Sequence, residues 1–277
     1  MRTIGLVLKS PQGRALALGE KITRFVQEMG GRVLLEESCR GPAEAWGATC
    51  SAGISDEADV LVVLGGDGTI LRAASLLNSK PVPVLGINLG RVGFMADVPP
   101  SDAIPAVEAF LSGRAQLVER MMLQVTLPDG KTQRALNDAV IHWGGRARLI
   151  DLGIVVGDQR EIELRADGLI VSTPLGSSAY SYAANGPLVH PEIEAVILTP
   201  VCPYAGLKRP LLVPASVETE IVLRKGEDLN LTLDGHTQFG LAVGKSIRVV
   251  RSSLPFIIVK SGPRDYFDVL EEKLGLL

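Results

Sequence analysis

The stretch ADVLVVLGGDGTILRAA, residues 58–74, decides the fold. After Asp59 a short apolar run, Val60 to Leu64, reads as a buried strand, and it passes straight into Gly65, Gly66, Asp67, Gly68 and Thr69 before helical residues begin. In an open parallel sheet, ligands bind at the carboxyl ends of the strands, so Asp67 is expected at that edge. Glycines there let the backbone approach a phosphate without a β-carbon in the way, and the helix that follows offers free N–H groups and a partial positive charge. Two familiar phosphate motifs are nevertheless absent. A P-loop needs G-x-x-x-x-G-K-[ST], and the dinucleotide fingerprint needs a third glycine where Leu71 stands. A carboxylate among phosphates is repulsive unless it holds a metal ion such as Mg2+ or accepts a proton from an attacking hydroxyl, and phosphoryl transfer calls for both. The competing reading is structural: Asp67 caps the helix or closes a tight turn, as Asp beside Gly often does.

Outward from this stretch, strands and helices alternate. TIGLVLK (residues 3–9) reads as a strand, and Leu18, Ile22, Phe25, Val26 and Met29 recur at helical spacing ahead of Gly30 and Gly31, where a helix C-cap needs positive φ. RVLLEE is a second strand, ADVLVVLG a third, TILRAASLL a helix and VPVLGIN a fourth strand, after which Ser101 stands where it can cap a helix through Leu111. Gly41 to Gly53 reads as a polar loop or short helix. The alternation predicts an open parallel sheet with crossover helices over residues 1–115. From Leu117 the texture changes to short apolar runs such as MMLQVTL, AVIHWG, IDLGIVV, AVILTP, TEIVLR and SIRVVR, with LPDGKTQ (127–133) as a hairpin turn, so residues 116–255 read as an all-β domain. Inside it, GSSAYSYAANG (176–186) suits a short helix after Pro174. SGPRDYFDVLEEKLGLL reads as a terminal helix, and residues 256–277 are expected to return to the first domain.

Composition agrees with a chain of this kind. At 277 residues it exceeds the ~100 to 200 residues of a typical domain, which favours two domains. The hydrophobic share of 46% and mean hydropathy of +0.25 favour buried strands over disorder. A net charge of −3 provides no basic field, so nucleic acid is not expected as a partner. The apolar run before Lys9 is too short for a signal-peptide core and nothing approaches 18 consecutive apolar residues, so a cytoplasmic protein with no membrane partner is expected. Cys39, Cys50 and Cys202 are odd in number and widely spaced, which suggests neither a disulfide framework nor a zinc site. His142, His190 and His236 lack metal-ligand spacing, and His142 with Trp143 at a strand end reads as a packing or surface pair.

With four later segments added, the sequence resembles the NAD kinase family, ATP-dependent enzymes that phosphorylate the 2′-hydroxyl of the adenosine ribose of NAD to make NADP. The resemblance spans essentially the whole chain. It rests on GGDGTILRA (65–73), GINLGRVGFMADV (86–98), NDAVIHWG (137–144), RADGLIVSTPLGSSAYSYAANGPLVHP (165–191) and LTLDGH (231–236). Their order and spacing are far more specific than the first motif, which diacylglycerol and sphingosine kinases and phosphofructokinases share in similar form. The resemblance implies a Rossmann-like, phosphofructokinase-like α/β domain followed by a β-sandwich-type domain. It implies that Asp67 is the catalytic base for the ribose hydroxyl, with Gly68 beside it against the substrate, while Gly65, Gly66, Gly68 and Thr69 face the phosphates of ATP. NAD would be held by Arg72, Asn137, Asp138, Arg148, Arg165, Asp167, the run Ser178, Ala179, Tyr180, Ser181, Tyr182 and Ala183, and His236. Mg2+ is expected on the phosphates of ATP with no direct protein ligand, the donor is ATP or polyphosphate, and a homodimer or homotetramer is implied.

Four positions depart from the family pattern. Asp138 replaces Glu and is one methylene shorter, Leu175 replaces Thr and lacks its hydroxyl, Ser178 replaces Thr and keeps it, and Asn185 replaces Gly. Two other functions remain open on the residues themselves. A lipid kinase of the diacylglycerol type would share G-G-D-G-T with a lipid acceptor, and a non-catalytic sensor would bind the dinucleotide without consuming ATP.

Overall fold

The computed structural model describes residues 2–10, 13–78, 80–90, 93–145, 149–260, 262 and 264–275. The chain forms two units, Met1–Glu119 with Phe256–Leu277, and Arg120–Pro255. The first unit begins with β1 (Thr3–Leu8), α1 (Gly13–Glu28), β2 (Arg32–Leu35), α2 (Arg40–Ala45), β3 (Thr49–Cys50) and α3 (Ile54–Glu57). It continues through β4 (Val60–Gly65), α4 (Asp67–Ser75), β5 (Val84–Asn88), α5 (Ala103–Leu111) and β6 (Gln116–Arg120). Strands β3-β2-β1-β4-β5 lie side by side in that order and pair in parallel, with Leu8 opposite Leu64 and Gly65 opposite Asn88. Every residue of β4 is buried, as in a strand covered on both faces, which is why residues 60–64 are apolar without alternation. Ile22 and Val26 of α1 enter the core with Leu6, Leu64 and Val107, and Leu18 and Phe25 pack at its margin.

Several local expectations are corrected. Met29 is 62% exposed, because α1 ends at Glu28 and Gly30, at φ 74°, turns the chain with its N–H on the Gln27 carbonyl. Ser101 caps nothing: it sits inside a 3-10 turn, Pro100–Asp102, and α5 starts at Ala103 with no side-chain cap. The segment 41–53 does hold a short helix, all of α2 after Arg40, and adds the short strand β3. The division between units falls after Glu119, and β6, which the sequence assigns to the β-rich half, joins the first sheet.

The second unit contains β7 (Leu123–Thr126), β8 (Thr132–Ala135), β9 (Asp138–Trp143), β10 (Ile150–Val156), β11 (Ile162–Ala166), β12 (Gly168–Ser172) and the single-turn helix α6 (Tyr180–Ala183). Then come β13 (Ala195–Val201), β14 (Ala205–Gly206), β15 (Leu211–Pro214), β16 (Thr219–Lys225), β17 (Leu229–Leu233), β18 (Thr237–Leu241) and β19 (Ser246–Arg251). They make two antiparallel sheets, ordered β14-β11-β10-β16-β19-β7-β8 and β15-β13-β12-β9-β17-β18. Alternate residues of both, among them Val125, Ile154 and Ile221 from one and Ile141, Leu169 and Leu231 from the other, share one core, so the sheets face each other as a sandwich. The expected hairpin joins β7 to β8, with the Leu127 N–H on the Lys131 carbonyl and Gly130 at φ 84°. By the alternation of β9 and β12, Asp138, Val140, Ile170 and Ser172 project from the face of the second sheet away from that core. The segment after Pro174 covers this face, and a hydrogen bond of 2.8 Å joins Ser181 of α6 to Thr199 of β13.

The last segment completes the first unit. Strand β20 (Phe256–Lys260) enters the first sheet between β5 and β6, parallel to β5 with Ile258 opposite Val84. Helix α7 (Tyr266–Leu274) follows, opened by a capping box in which Asp265 accepts from the amides of Phe267 and Asp268 while Asp268 accepts from the Asp265 N–H.

Candidate functional site

Asp67 is the first residue of α4, at the carboxyl end of β4. Its carboxylate accepts three backbone N–H groups from one loop: Phe94 on Oδ2 at 2.9 Å, and Met95 and Ala96 on Oδ1 at 3.1 and 3.2 Å. An ionised carboxylate offers about four acceptor positions, so one on Oδ2 is left. The cap reading of Asp67 is therefore displaced: no side chain caps α4, and the carboxylate is turned to the loop after β5. That loop is tied to the sheet by Asn88, the last residue of β5, whose Nδ2 donates to the Ala96 carbonyl at 3.1 Å.

The glycines around Asp67 have different duties. A β-carbon at Gly65 would lie 2.2 Å from Thr69 Oγ1, so Gly65 is required by packing, and Thr69 is turned inward with 7% exposure. At Gly66 and Gly68 a β-carbon would meet nothing within 4 Å. These two face open space beside the start of α4, where the Thr69 and Ile70 N–H groups turn to the Gly66 carbonyl and the Asp67 and Gly68 N–H groups precede the first intrahelical bond, the arrangement that receives an anion. Arg72 points elsewhere: its guanidinium donates to Glu36 Oε1 at 2.5 Å and to the Leu8 carbonyl at 2.7 Å, bracing α4 against the ends of β1 and β2. The C-terminal segment contributes two cations, since Lys260 and Arg264 both act on Asp97. Burial holds the Asp97 carboxyl above its ordinary range, and the nearby Asp67 adds to that, while its own backbone N–H and the two cations oppose it.

The second unit has its own polar cluster. Asp234, in the turn after β17, accepts the N–H groups of Leu136 on Oδ2 at 2.8 Å and of Asn137 and Asp138 on Oδ1 at 2.7 and 3.1 Å. The Thr173 hydroxyl donates to the Leu136 carbonyl at 2.7 Å and accepts the Gly176 N–H at 3.0 Å, and the Thr173 N–H reaches the Asn137 carbonyl. A β-carbon at Gly176 would lie 2.1 Å from that same carbonyl oxygen. Asn137 is 9% exposed, and its Oδ1 is buried without a hydrogen-bond partner. Beside it, Asp138 is pushed from 3.8 to about 7, first by burial and then by the charge of Asp234. Burial raises Asp234 too, against the three amides and His236.

The remaining expected residues are spread over this unit. Arg165 and Asp167 are exposed at the junction of β11 and β12, with Arg165 Nε 3.4 Å from Asp151 and its guanidinium 5.6 Å from the Tyr204 ring centre. Ser178 ends a 3-10 turn, Leu175–Ser178, and Ala179 joins it to α6. Tyr180 and Tyr182 are exposed, while Ser181 is buried against Thr199. His236 is exposed, with Nδ1 on the Asp234 carbonyl. Arg148 lies outside the described residues. His142 packs as expected, its Nε2 2.8 Å from the Thr232 hydroxyl. Sequence reasoning missed the loop after Gly93, Asn88, Thr173 as a backbone tie, and Asp234. The segment 86–98 carried the signal, but nothing in its residue types says that its amides, rather than its side chains, meet Asp67.

Comparison with known proteins identifies the chain. The model of the ATP-NAD kinase N-terminal domain matches residues 4–115, and that of the ATP-NAD kinase C-terminal domain matches residues 136–261. The NAD kinase of Geotalea daltonii is 38% identical over 99% of this chain and 98% of its own length, and that of Geobacter metallireducens is 45% identical over 80% of each. Among solved structures, yeast NADH kinase complexed with NADH superposes with a TM-score of 0.90 at 25% identity, covering 100% of this chain and 88% of its own. An NAD kinase from Archaeoglobus fulgidus in complex with ATP gives 0.78 at 25% identity, covering 98% and 99%. Fold and site thus define a phosphotransferase with an alcohol group as acceptor. Within that class the chain belongs to the ATP-NAD kinase family.

Proposed function

We infer that the chain transfers the γ-phosphoryl group of ATP to the 2′-hydroxyl of the adenosine ribose of NAD, giving NADP and ADP. The observation that carries this reading is the Asp67 carboxylate, fixed by three amides beside an uncapped helix start with open space over Gly66 and Gly68. In this reading the one free acceptor position on Oδ2 takes the proton of the ribose hydroxyl and aligns its oxygen with the γ-phosphorus. The Asp67 and Gly68 amides at the start of α4 meet the phosphates. Phosphoryl transfer has a loose transition state and needs alignment and charge stabilisation more than covalent help, which suits a base held in one orientation. Asn137, with an unpaired buried Oδ1, and Asp138, Arg165, Asp167, the run Ser178 to Ala183 and His236 form the dinucleotide surface, and Arg148 is assigned to it by resemblance.

Mg2+ belongs to the same reading as an ion carried on ATP. Three amides already occupy Asp67 and its remaining acceptor position is assigned to the ribose hydroxyl, so in this reading the ion is held by phosphate oxygens. Bound there, it would neutralise charge on the group in transfer. No described helix is long and apolar enough to cross a membrane, and a cytoplasmic location goes with the proposal. A homodimer or homotetramer is inferred on the resemblance alone, and light scattering tests it.

The deciding experiment incubates the protein with NAD or NADH and with ATP, polyphosphate or neither, and measures NADP or NADPH. NADP from NAD and ATP is expected. Asp67→Asn is expected to fold, to bind NAD and to lose about 10²- to 10⁴-fold in kcat. Turnover near that of the parent protein would remove Asp67 from its role, and phosphorylation of lipid micelles without NADP formation would replace the acceptor.

A further inference from the structure

We propose that Gly93, backed by Asn88, is a positioning residue that sets the Asp67 carboxylate for catalysis. The proposal rests on the NAD kinase reading but concerns residues outside the substrate contacts. Gly93 precedes the three amide donors, and its own N–H donates to the Ala96 carbonyl at 3.0 Å, folding residues 93–96 into a tight loop around the carboxylate. Its φ lies outside the left-handed region, so the backbone would tolerate a side chain. Space does not: a β-carbon would lie 2.0 Å from Asp67 Oδ1, 2.5 Å from its Cγ and 2.7 Å from Oδ2. All three neighbours belong to the carboxyl group, so the glycine is required by Asp67 itself.

Asn88 holds the loop from behind. It is 4% exposed, its Nδ2 donates to the Ala96 carbonyl, its Oδ1 accepts the Gly90 N–H at 2.7 Å, and its own N–H reaches the Val98 carbonyl at 2.8 Å. A rigid connection therefore runs from the end of β5 through Asn88 to the loop amides and on to Asp67. Its effect is to leave the carboxylate one acceptor direction. A displacement of about 1 Å in a catalytic group typically costs about 10² in rate, and an added methyl at position 93 forces a shift of that order.

The test compares Gly93→Ala, Asn88→Ala, Asp67→Ala and the two double variants, with kcat and KM for NAD and ATP and thermal unfolding for each. Gly93→Ala is expected to lower kcat about 100-fold with both KM values within about 3-fold, and to lower Tm by roughly 3–10 °C. In the Asp67→Ala background the methyl gains the space the carboxylate leaves. There Gly93→Ala should cause no further loss of kcat and should bring Tm back to that of Asp67→Ala. A kcat for Gly93→Ala within about 3-fold of the parent, or a further tenfold loss in the Asp67→Ala background, overturns the proposal. If Gly93→Ala does not fold, Asn88→Ala decides by the same criteria: a kcat loss absent from the Asp67→Ala background supports it, and a KM rise at unchanged kcat overturns it. Failure of the parent protein to make NADP would instead sink the functional reading.

Discussion

Replacing Asp138 with Asn should make the second unit more stable at neutral pH while changing it little in acid. Asp138 is 6% exposed, and burial, followed by the charge of Asp234, moves its carboxyl from 3.8 to about 7. Of the two carboxylates, Asp234 is the better anion, because it alone receives three amide N–H groups, so of the pair Asp138 keeps its proton to higher pH. Below about pH 4 the group is neutral in both folded and unfolded chains and contributes nothing to the difference. Between about pH 4 and 7 the unfolded chain gives up a proton that the folded chain keeps. Stability therefore falls as pH rises through this window and levels off above the folded value. The full loss is about 4 kcal/mol. The amide has no proton to release, so Asp138→Asn should gain up to that amount on the parent protein between about pH 4.5 and 8. The chain has two tryptophans, Trp46 and Trp143, and Trp143 lies on the same strand as Asp138. In a Trp46→Phe background, urea unfolding followed by fluorescence reports the second unit alone. A stability difference between the Asp138→Asn variant and its parent that does not change from about pH 4.5 to 8, or one that shrinks as pH rises, would refute the reasoning.

Substitutions at two further positions test the backbone demands of the second unit. Asn185 sits at φ 61°, which Asn tolerates and which glycine adopts freely, so Asn185→Gly should shift stability by less than about 1 kcal/mol and Asn185→Val should cost about 1–2 kcal/mol, both read by thermal unfolding. Gly176→Ala places a methyl 2.1 Å from the Asn137 carbonyl, so it should cost about 1–3 kcal/mol and raise KM for NAD more than it lowers kcat. An unchanged KM would separate Asn137 from dinucleotide binding.

Much of the fold is legible because its signals are periodic and local. The run from Val60 to Leu64 is apolar throughout because β4 is buried on both faces, and the turn glycine of LPDGKTQ, Gly130, fixes a hairpin. The strands left out of the sequence reading are those whose signal is weak or whose partner is remote. β11 reads IELRA with two charged residues and both flanks polar, and β18 reads TQFGL at a sheet edge with little apolar alternation. β20 is legible as an apolar run, FIIVK, but its insertion between β5 and β6 depends on a pairing with Val84 that no local pattern announces. The departure Asn185 is explained only by a dihedral angle. Arg72 shows a different limit: its type and its place in the motif suggest a ligand, and the tertiary structure adds two partners, Glu36 and the Leu8 carbonyl, that no local pattern announces.

The same limit explains why Asp67 stood out in the sequence and Asp234 did not. Both carboxylates accept three successive amides in one pattern, a single bond on Oδ2 and a pair on Oδ1. Their surroundings reverse the direction of control. Asp234 sits in a turn at φ 48° next to a second buried carboxyl, and what it fixes is the backbone that carries Asn137 and Asp138. Asp67 sits at a helix start beside open space, and there the loop fixes the carboxylate. A glycine marks the second case: the β-carbon position of Gly93 is filled by the carboxyl group that its own loop holds. Where a loop must grip a carboxylate that closely, the chemistry belongs to the carboxylate; where a carboxylate grips a loop, the chemistry belongs to the side chains that the loop presents.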